Sequence, residues 1–244
     1  MSLKAVGATA LRVFAQLRRD PRTVALLMLV PVGLITLLKY MFVDEPALFD
    51  RIGTPLLGLF PFVTMFLITS ITMLRERTTG TLERLMAMPM AKLDLLAGYG
   101  IAFGAVAAVQ ATLVSVVAFG LLGLDSSGPR WVVVLLAVSN AILGMAFGLF
   151  LSAFARTEFQ AVQFMPAFVL PQILLCGLIV PRDQMARALE IAAAFLPLTY
   201  AYDALQRVGQ DIFDARLAFD VTIVLAATGA ALALGAATLR RRTP

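Results

Sequence analysis

The chain contains no histidine, a single cysteine (Cys176) and a single tryptophan among its 244 residues. The missing histidine removes the commonest catalytic base and metal ligand. One cysteine cannot build a disulfide framework. Charge is scarce as well: Asp, Glu, Lys and Arg make up 14% of the chain, against roughly 25% in soluble domains. No G-x-x-x-x-G-K-[ST] loop occurs, so the chain has no P-loop with which to cradle ATP phosphates. What is there instead is apolar, with 60% hydrophobic residues and a mean hydropathy of +0.90. Disorder requires low hydrophobicity, and a soluble core cannot hide this much apolar surface. Lipid must cover the surplus, and the fold class is an all-α polytopic membrane protein.

About 20 apolar residues cross the roughly 30 Å hydrocarbon layer. Six runs are long enough: residues 23–43 (interrupted by Lys39), 52–74, 95–124, 131–155, 159–181 and 217–239. The first is too long, and its N-terminal arm too elaborate, for a cleavable signal peptide. Residues 182–208 read differently. Met185, Leu189, Ala192 and Leu196 recur at helical spacing, Pro197 interrupts them, and Tyr200, Tyr202 and Leu205 follow. This pattern predicts two short helices in a re-entrant outer hairpin between spans five and six, not a seventh span.

The charges test that count. Lys4, Arg12, Arg18, Arg19, Arg22, Arg75, Arg77, Arg84, Lys92, Arg156 and Arg240–Arg242 fall on one side of a six-span layout. The other side holds fewer cations and most of the acids, including Asp44, Glu45, Asp50, Asp125 and Asp211. The positive-inside rule then places both termini in the cytoplasm. A seventh span would strand Arg240–Arg242 outside. The net charge of +5 is therefore topology, and no nucleic-acid partner is expected.

The spans carry no Asp or Glu except Asp220 at the edge of the last. Proton and ion pathways normally need such residues. Lys39 sits near a span end and can snorkel to the headgroups. Work against a gradient must come from a separate subunit. Gly144, Gly148 and Ser152 form a small-residue ridge at spacing four, as do Gly100 and Gly104. Such ridges permit close backbone approach, either within the chain or between subunits. Gln110, Asn140, Gln163 and Gln172 suit interhelical hydrogen bonds or substrate contacts. Lone Cys176 is assigned no redox role.

In residues 1–20, Leu3, Val6, Ala10, Phe14 and Leu17 repeat every three or four positions, with Lys4, Arg12, Gln16 and Arg19 on most of the other face. That pattern predicts an amphipathic helix along the membrane surface, ending at Asp20-Pro21. Between spans two and three runs a charged segment, residues 75–90. Thr79 or Thr81 can cap a helix there, with Gly80 easing the bend. Leu82, Leu85 and Met86 then share an apolar face, Glu83 and Arg84 turn away, and Pro89 ends the helix. Spacing alone leaves a solvated loop and a docking helix equally open.

The segment ERTTGTLERLMAMPM resembles the hallmark of the ABC-2 type permeases, the membrane subunits of ABC exporters related to daunorubicin-resistance and other multidrug systems. Its E-x-x-x-G-T-L-E-x-L-x-x-x-P core is matched at Glu76, Gly80, Thr81, Leu82, Glu83, Leu85 and Pro89. LRRDPRTVALLMLVP (Leu17 to Pro31) and LPLTYAYDALQRV (Leu196 to Val208) are similar to further family segments, in the family's order. The resemblance implies a connecting helix over 1–20, a coupling helix over 75–90, and the re-entrant hairpin over 182–208. It implies a multi-pass protein of the bacterial inner membrane, paired with a second permease copy and with an ABC ATPase that binds MgATP. This chain itself would carry no cofactor and no catalysis. Coupling to the ATPase would involve Arg75, Glu76, Gly80, Thr81, Leu82, Glu83, Arg84, Leu85 and Pro89.

The leading expectation is an export permease for hydrophobic drug-like or lipid-like substrates, working by alternating access. Soft Met and aromatic surfaces tolerate many ligands. Phe60, Phe62, Met65 and Phe66 of span two, with Phe164, Met165, Phe168 and Gln172 of span five, are the candidates to line the path at the dimer axis. A non-transporting assembly or sensor subunit is the alternative. A membrane-embedded lipid-modifying enzyme is disfavoured, because no carboxylate or histidine cluster with metal-ligand spacing is present.

Overall fold

The computed structural model of the chain describes residues 2–87 and 91–238, and the described residues form helices and turns without a strand. Helix α1 (Leu3–Arg19) stops at Asp20, whose carboxylate accepts hydrogen bonds from the backbone N–H of Thr23 at 3.2 Å and its hydroxyl at 2.6 Å. Asp20 thereby caps α2 (Pro21–Met41), with Pro21 opening the helix at a position where its missing N–H costs nothing.

The buried stripe of α1 is Val6, Thr9, Ala10 and Val13, rotated from the expected one. Leu3 is 84% exposed and Phe14 37% exposed. The reason is the close approach of α1 to α5 (Lys92–Gly120). A Cβ added to Gly98 of α5 would lie 2.5 Å from the Thr9 Cβ and 2.9 Å from the Val6 carbonyl oxygen. Only small side chains fit that contact, so the bulky ones are left on the open side.

Five helices are long and apolar enough to cross a membrane: α2, α3 (Pro46–Thr78), α5, α6 (Arg130–Leu151) and α11 (Ala215–Ala237). They fall on five of the six expected runs, with ends shifted by a few residues. At 33 residues, α3 reaches about 50 Å, well beyond the hydrocarbon layer of about 30 Å. The expected coupling residues Arg75 and Glu76 lie on its last turns, not on a separate coupling helix.

The run 159–181 is not one continuous α-helix. It breaks into α7 (Glu158–Phe164), a π-helical turn (Met165–Val169) and α8 (Leu170–Leu175). Pro166 and Pro171 each remove a backbone donor, and the wide π turn absorbs the mismatch. After a 3₁₀ turn at Arg182–Gln184 come α9 (Arg187–Ala194) and α10 (Pro197–Gly209). These are the two short helices expected, broken at Pro197. Thr199 and Tyr200 donate from their hydroxyls to the carbonyls of Ala193 and Ala194, at 2.8 and 2.7 Å, clamping α10 to α9. α10 then packs on α3, α6 and α11.

The tightest helix pair is α3 with α6. Gly144 and Gly148 of α6 lie directly on the α3 backbone, so that ridge works within the chain. The Thr69 hydroxyl lies 3.2 Å from the Met145 carbonyl oxygen across the same seam. Gly100 and Gly104 of α5 face open space instead and border an apolar cavity of 420 Å³ with α6 and α11. Gln110 of α5 donates to the Leu27 carbonyl and the Thr64 hydroxyl, both at 2.6 Å, tying α5 to α2 and α3. Gln172 instead donates to Phe168 one turn earlier at 3.2 Å, and Gln163 is exposed. Replacing Gln110 with Leu is expected to cost about 0.6 kcal/mol and no more than about 1.7, the average and the maximum for interhelical polar contacts in a bilayer. Thermal unfolding of purified wild type and variant in one detergent reads the difference.

Candidate coupling site

Helix α3 ends in a sharp turn. The Thr79 N–H and hydroxyl both donate to the Arg75 carbonyl, at 2.9 and 2.8 Å, and the Thr79 and Thr81 hydroxyls meet at 3.0 Å. Gly80 takes φ +72° with nothing within 4 Å of where a Cβ would be. Glycine reaches this left-handed conformation without steric cost. The chain then reverses into α4 (Thr81–Ala87).

The apolar teeth of α4 do not point outward. Leu82 is buried in the chain's own core and Leu85 packs against that core, which corrects the expectation that they offer a face to a partner's groove. The side chain of Met86 lies outside the described residues, as do Pro89 and Arg240–Arg242. Glu83 and Arg84 are exposed, so α4 presents charge at its surface and anchors itself from below.

Glu76 also faces inward. It is 5% exposed, turned inward to α1. Arg12 approaches both its carboxylate oxygens, at 3.1 and 3.3 Å, and Gln16 donates to one of them at 2.9 Å. Arg12 also donates to the Tyr99 hydroxyl of α5 and lies over the Tyr99 ring, 5.6 Å from its centre. Tyr99 in turn stacks on Phe103. One carboxylate therefore joins α3 to α1, and Arg12 carries the link on to α5.

Arg75 points the other way. It makes a two-pronged pair with Glu158 at the start of α7, at 2.6 and 3.0 Å, and holds that carboxyl below its ordinary range. Both partners are more than half exposed, so the pair adds little stability. Arg77 reaches the Thr238 hydroxyl at the end of α11, at 3.1 Å. The last turns of α3 thus touch α1, α7 and α11, a hub beneath α4.

Arg12, Gln16, Tyr99 and Glu158 were not among the expected site residues. Arg12 and Gln16 stand four apart on one helical face, and a tyrosine in an apolar run needs a partner for its hydroxyl when buried. Those were the available signals.

The expected path residues gather elsewhere. Phe62, Met65 and Phe66 are fully buried, and Gln172 nearly so. Phe66 stacks on Phe168 at 6.3 Å, and Phe147 of α6 meets Phe62 and Phe168 edge-on, at 6.4 and 5.1 Å. In this conformation the four buried side chains present no surface to a path. Phe60, Phe164, Met165 and Phe168 are half-buried.

Known proteins agree with the hallmark. The chain matches the ABC-2 type transporter family over residues 4–208. It is 26% identical over 159 residues to "ABC transporter G family member 20" of Dictyostelium discoideum, covering 65% of this chain and 22% of that protein. It is 25% identical over 171 residues to "Probable multidrug ABC transporter permease YbhR" of Escherichia coli K12, covering 70% and 44%. Over 137 residues it is 27% identical to "Linearmycin resistance permease protein LnrN" of Bacillus subtilis, covering 56% and 35%. The chain thus matches less than half the length of each of these relatives. With its family match spanning most of its length, its hallmark segment at the α3–α4 turn and its set of membrane-crossing helices, the chain belongs to the ABC-2 type transporter family as a membrane component.

Proposed function

We propose that the chain is the permease subunit of an ATP-driven exporter, moving hydrophobic drug-like or lipid-like substrates by alternating access. In this reading the broken α7–α8 segment supplies the sixth crossing, and α9–α10 forms a re-entrant hairpin on the outer side. Both termini are cytoplasmic, and a second permease copy completes the path. An ABC ATPase carries MgATP and docks against α4.

The observation that carries the proposal is the construction of the α3–α4 turn. Exposed Glu83 and Arg84 lie on a short helix whose inner face is locked into the bundle through Leu82. Beneath it, Glu76 and Arg12 join three helices. A push on α4 is therefore delivered to α3 and passed to α1 and α5, because packed interiors transmit displacement instead of absorbing it.

Glu83→Lys is the test, combined with Arg84→Glu. The double variant is expected to insert and run as a single species by size exclusion, yet to lose at least about tenfold of the co-purifying ATPase, the scale of a lost interfacial charge pair. Normal ATPase recovery and normal transport in proteoliposomes would overturn the assignment of α4.

A further inference from the structure

A cavity of 420 Å³ opens where α1 lies against α2 and α3. Val13, Leu17, Ile68 and Ile71 form its apolar walls, and Asp20, Arg75 and Glu76 stand at its polar edge. That volume falls inside the range of about 300–1,000 Å³ that small-molecule sites occupy, and such sites share this make-up of apolar walls with a few convergent polar groups.

The three charges are not equivalent. Glu76 is neutralised from outside the cavity by Arg12 at 3.1 Å, and Arg75 by Glu158 at 2.6 Å. Asp20 has no ion pair among the described residues. Its carboxylate accepts only from the hydroxyl and the backbone N–H of Thr23. Those two bonds hold Asp20 below the ordinary carboxyl range, so it is ionised at neutral pH. Arg75 and Arg22 act on Asp20 through space alone, and Arg75 is already committed to Glu158. The cavity therefore combines a greasy interior with one carboxylate at its mouth that has no ion-pair partner among the described residues.

We propose that this cavity binds a hydrophobic organic cation, its apolar body between α1 and α3 and its charge facing Asp20. The proposal deepens the transport reading and rests on it for the site's purpose, giving a substrate class and a point of approach from the membrane. The cavity is separate from the buried aromatic cluster of α3, α6 and the π turn. A hydrophobic anion would face an ionised carboxylate there, with Arg75, the arginine of the cavity lining, already paired to Glu158.

Tetraphenylphosphonium and tetraphenylborate, of almost the same shape and opposite charge, are the probes. Equilibrium binding is measured on the full chain in lipid nanodiscs, with empty nanodiscs subtracted. The expected result is saturable binding of the cation, roughly tenfold tighter than of the anion, as one charge contact at a wet site supplies. Asp20→Asn keeps a capping side chain, since Asn caps helices as well as Asp does, and should collapse the preference. Ile71→Trp should remove saturable binding of both ions.

Equal binding of the two ions, or a preference unchanged by Asp20→Asn, would overturn the proposal. So would saturable binding untouched by Ile71→Trp, or no binding above the nanodisc background. No ATPase is needed for this measurement. Its failure sinks the cavity alone, whereas failure of ATPase recovery with the wild-type chain sinks the transport reading.

Discussion

Glu76→Ala is expected to cost up to about 3–5 kcal/mol of stability, the range for breaking a fully buried ion pair from one side, with Arg12, 27% exposed, able to recover some of it from water. The alanine leaves the Arg12 guanidinium against Tyr99 with its counter-charge gone, and leaves Gln16 without its 2.9 Å acceptor. Arg12 already has one buried nitrogen, Nε, without a partner, so it has little spare capacity to find replacements within the bundle. Glu76→Gln should cost less, because an amide of the same shape retains one oxygen acceptor. Arg75→Ala is the control on the same turn of α3. Its pair with Glu158 is half exposed on both sides, and such pairs contribute about 0.2–1 kcal/mol. Thermal unfolding in detergent should rank the three as Glu76→Ala far below Glu76→Gln, with Arg75→Ala close to wild type. Adding Arg12→Ala to Glu76→Ala should recover part of the loss, since the stranded charge is then removed, with a coupling energy of about 0.5–3 kcal/mol. If Glu76→Ala melts no lower than Arg75→Ala, the link among α1, α3 and α5 does not hold the bundle as described.

That contrast also marks where sequence reading reaches its limit. Glu76 is recognisable as a hallmark residue from its spacing to Gly80 and Glu83, but nothing local separates a carboxylate aimed at a partner from one aimed at the chain's own Arg12. The five crossing helices are legible because the bilayer demands an uninterrupted apolar run with its backbone bonds satisfied internally. Residues 159–181 satisfy the same hydropathy test, yet hydropathy does not register the two donors lost at Pro166 and Pro171. The stripe of α1 is misjudged by its rotation for a related reason. A helix packed on a bundle by one face can carry apolar side chains on its other face as well, and Leu3 and Phe14 went to the open side while Val6, Thr9, Ala10 and Val13 were buried, Val6 and Thr9 against Gly98 of α5. Phe62, Met65 and Phe66 suit a packed core as well as a substrate path by chemistry alone. The deciding information lay in Gly144 and Gly148, which determine how closely α6 covers that face of α3.

Those two glycines carry the other large effect. Gly144→Leu and Gly148→Leu are each expected to abolish recovery of monodisperse protein. A Cβ at Gly144 would stand 2.2 Å from the Phe62 carbonyl oxygen and 2.8 Å from its carbonyl carbon. At Gly148 it would stand 2.1 Å from the Thr69 hydroxyl oxygen and 2.5 Å from the Phe66 carbonyl oxygen. Backbone atoms cannot rotate out of the way, so α3 and α6 must separate along the seam. Separation forfeits the Thr69–Met145 bond and the contact of Phe147 with Phe62 together. Overpacking of a single core site typically costs about 1–3 kcal/mol, and here several contacts fail at once. Even Gly144→Ala should lower the melting temperature measurably. Gly100→Ala and Gly104→Ala supply the opposite expectation. Nothing lies within 4 Å of a Cβ at either position, so these variants should be neutral or gain up to about 0.5–1 kcal/mol from better helix propensity. The same ridge motif therefore predicts opposite signs on α5 and α6, and melting curves of the four variants separate them. If Gly144→Ala instead changed only the oligomeric state and left the melting temperature untouched, the ridge would belong between subunits, and the described α3–α6 seam would be wrong.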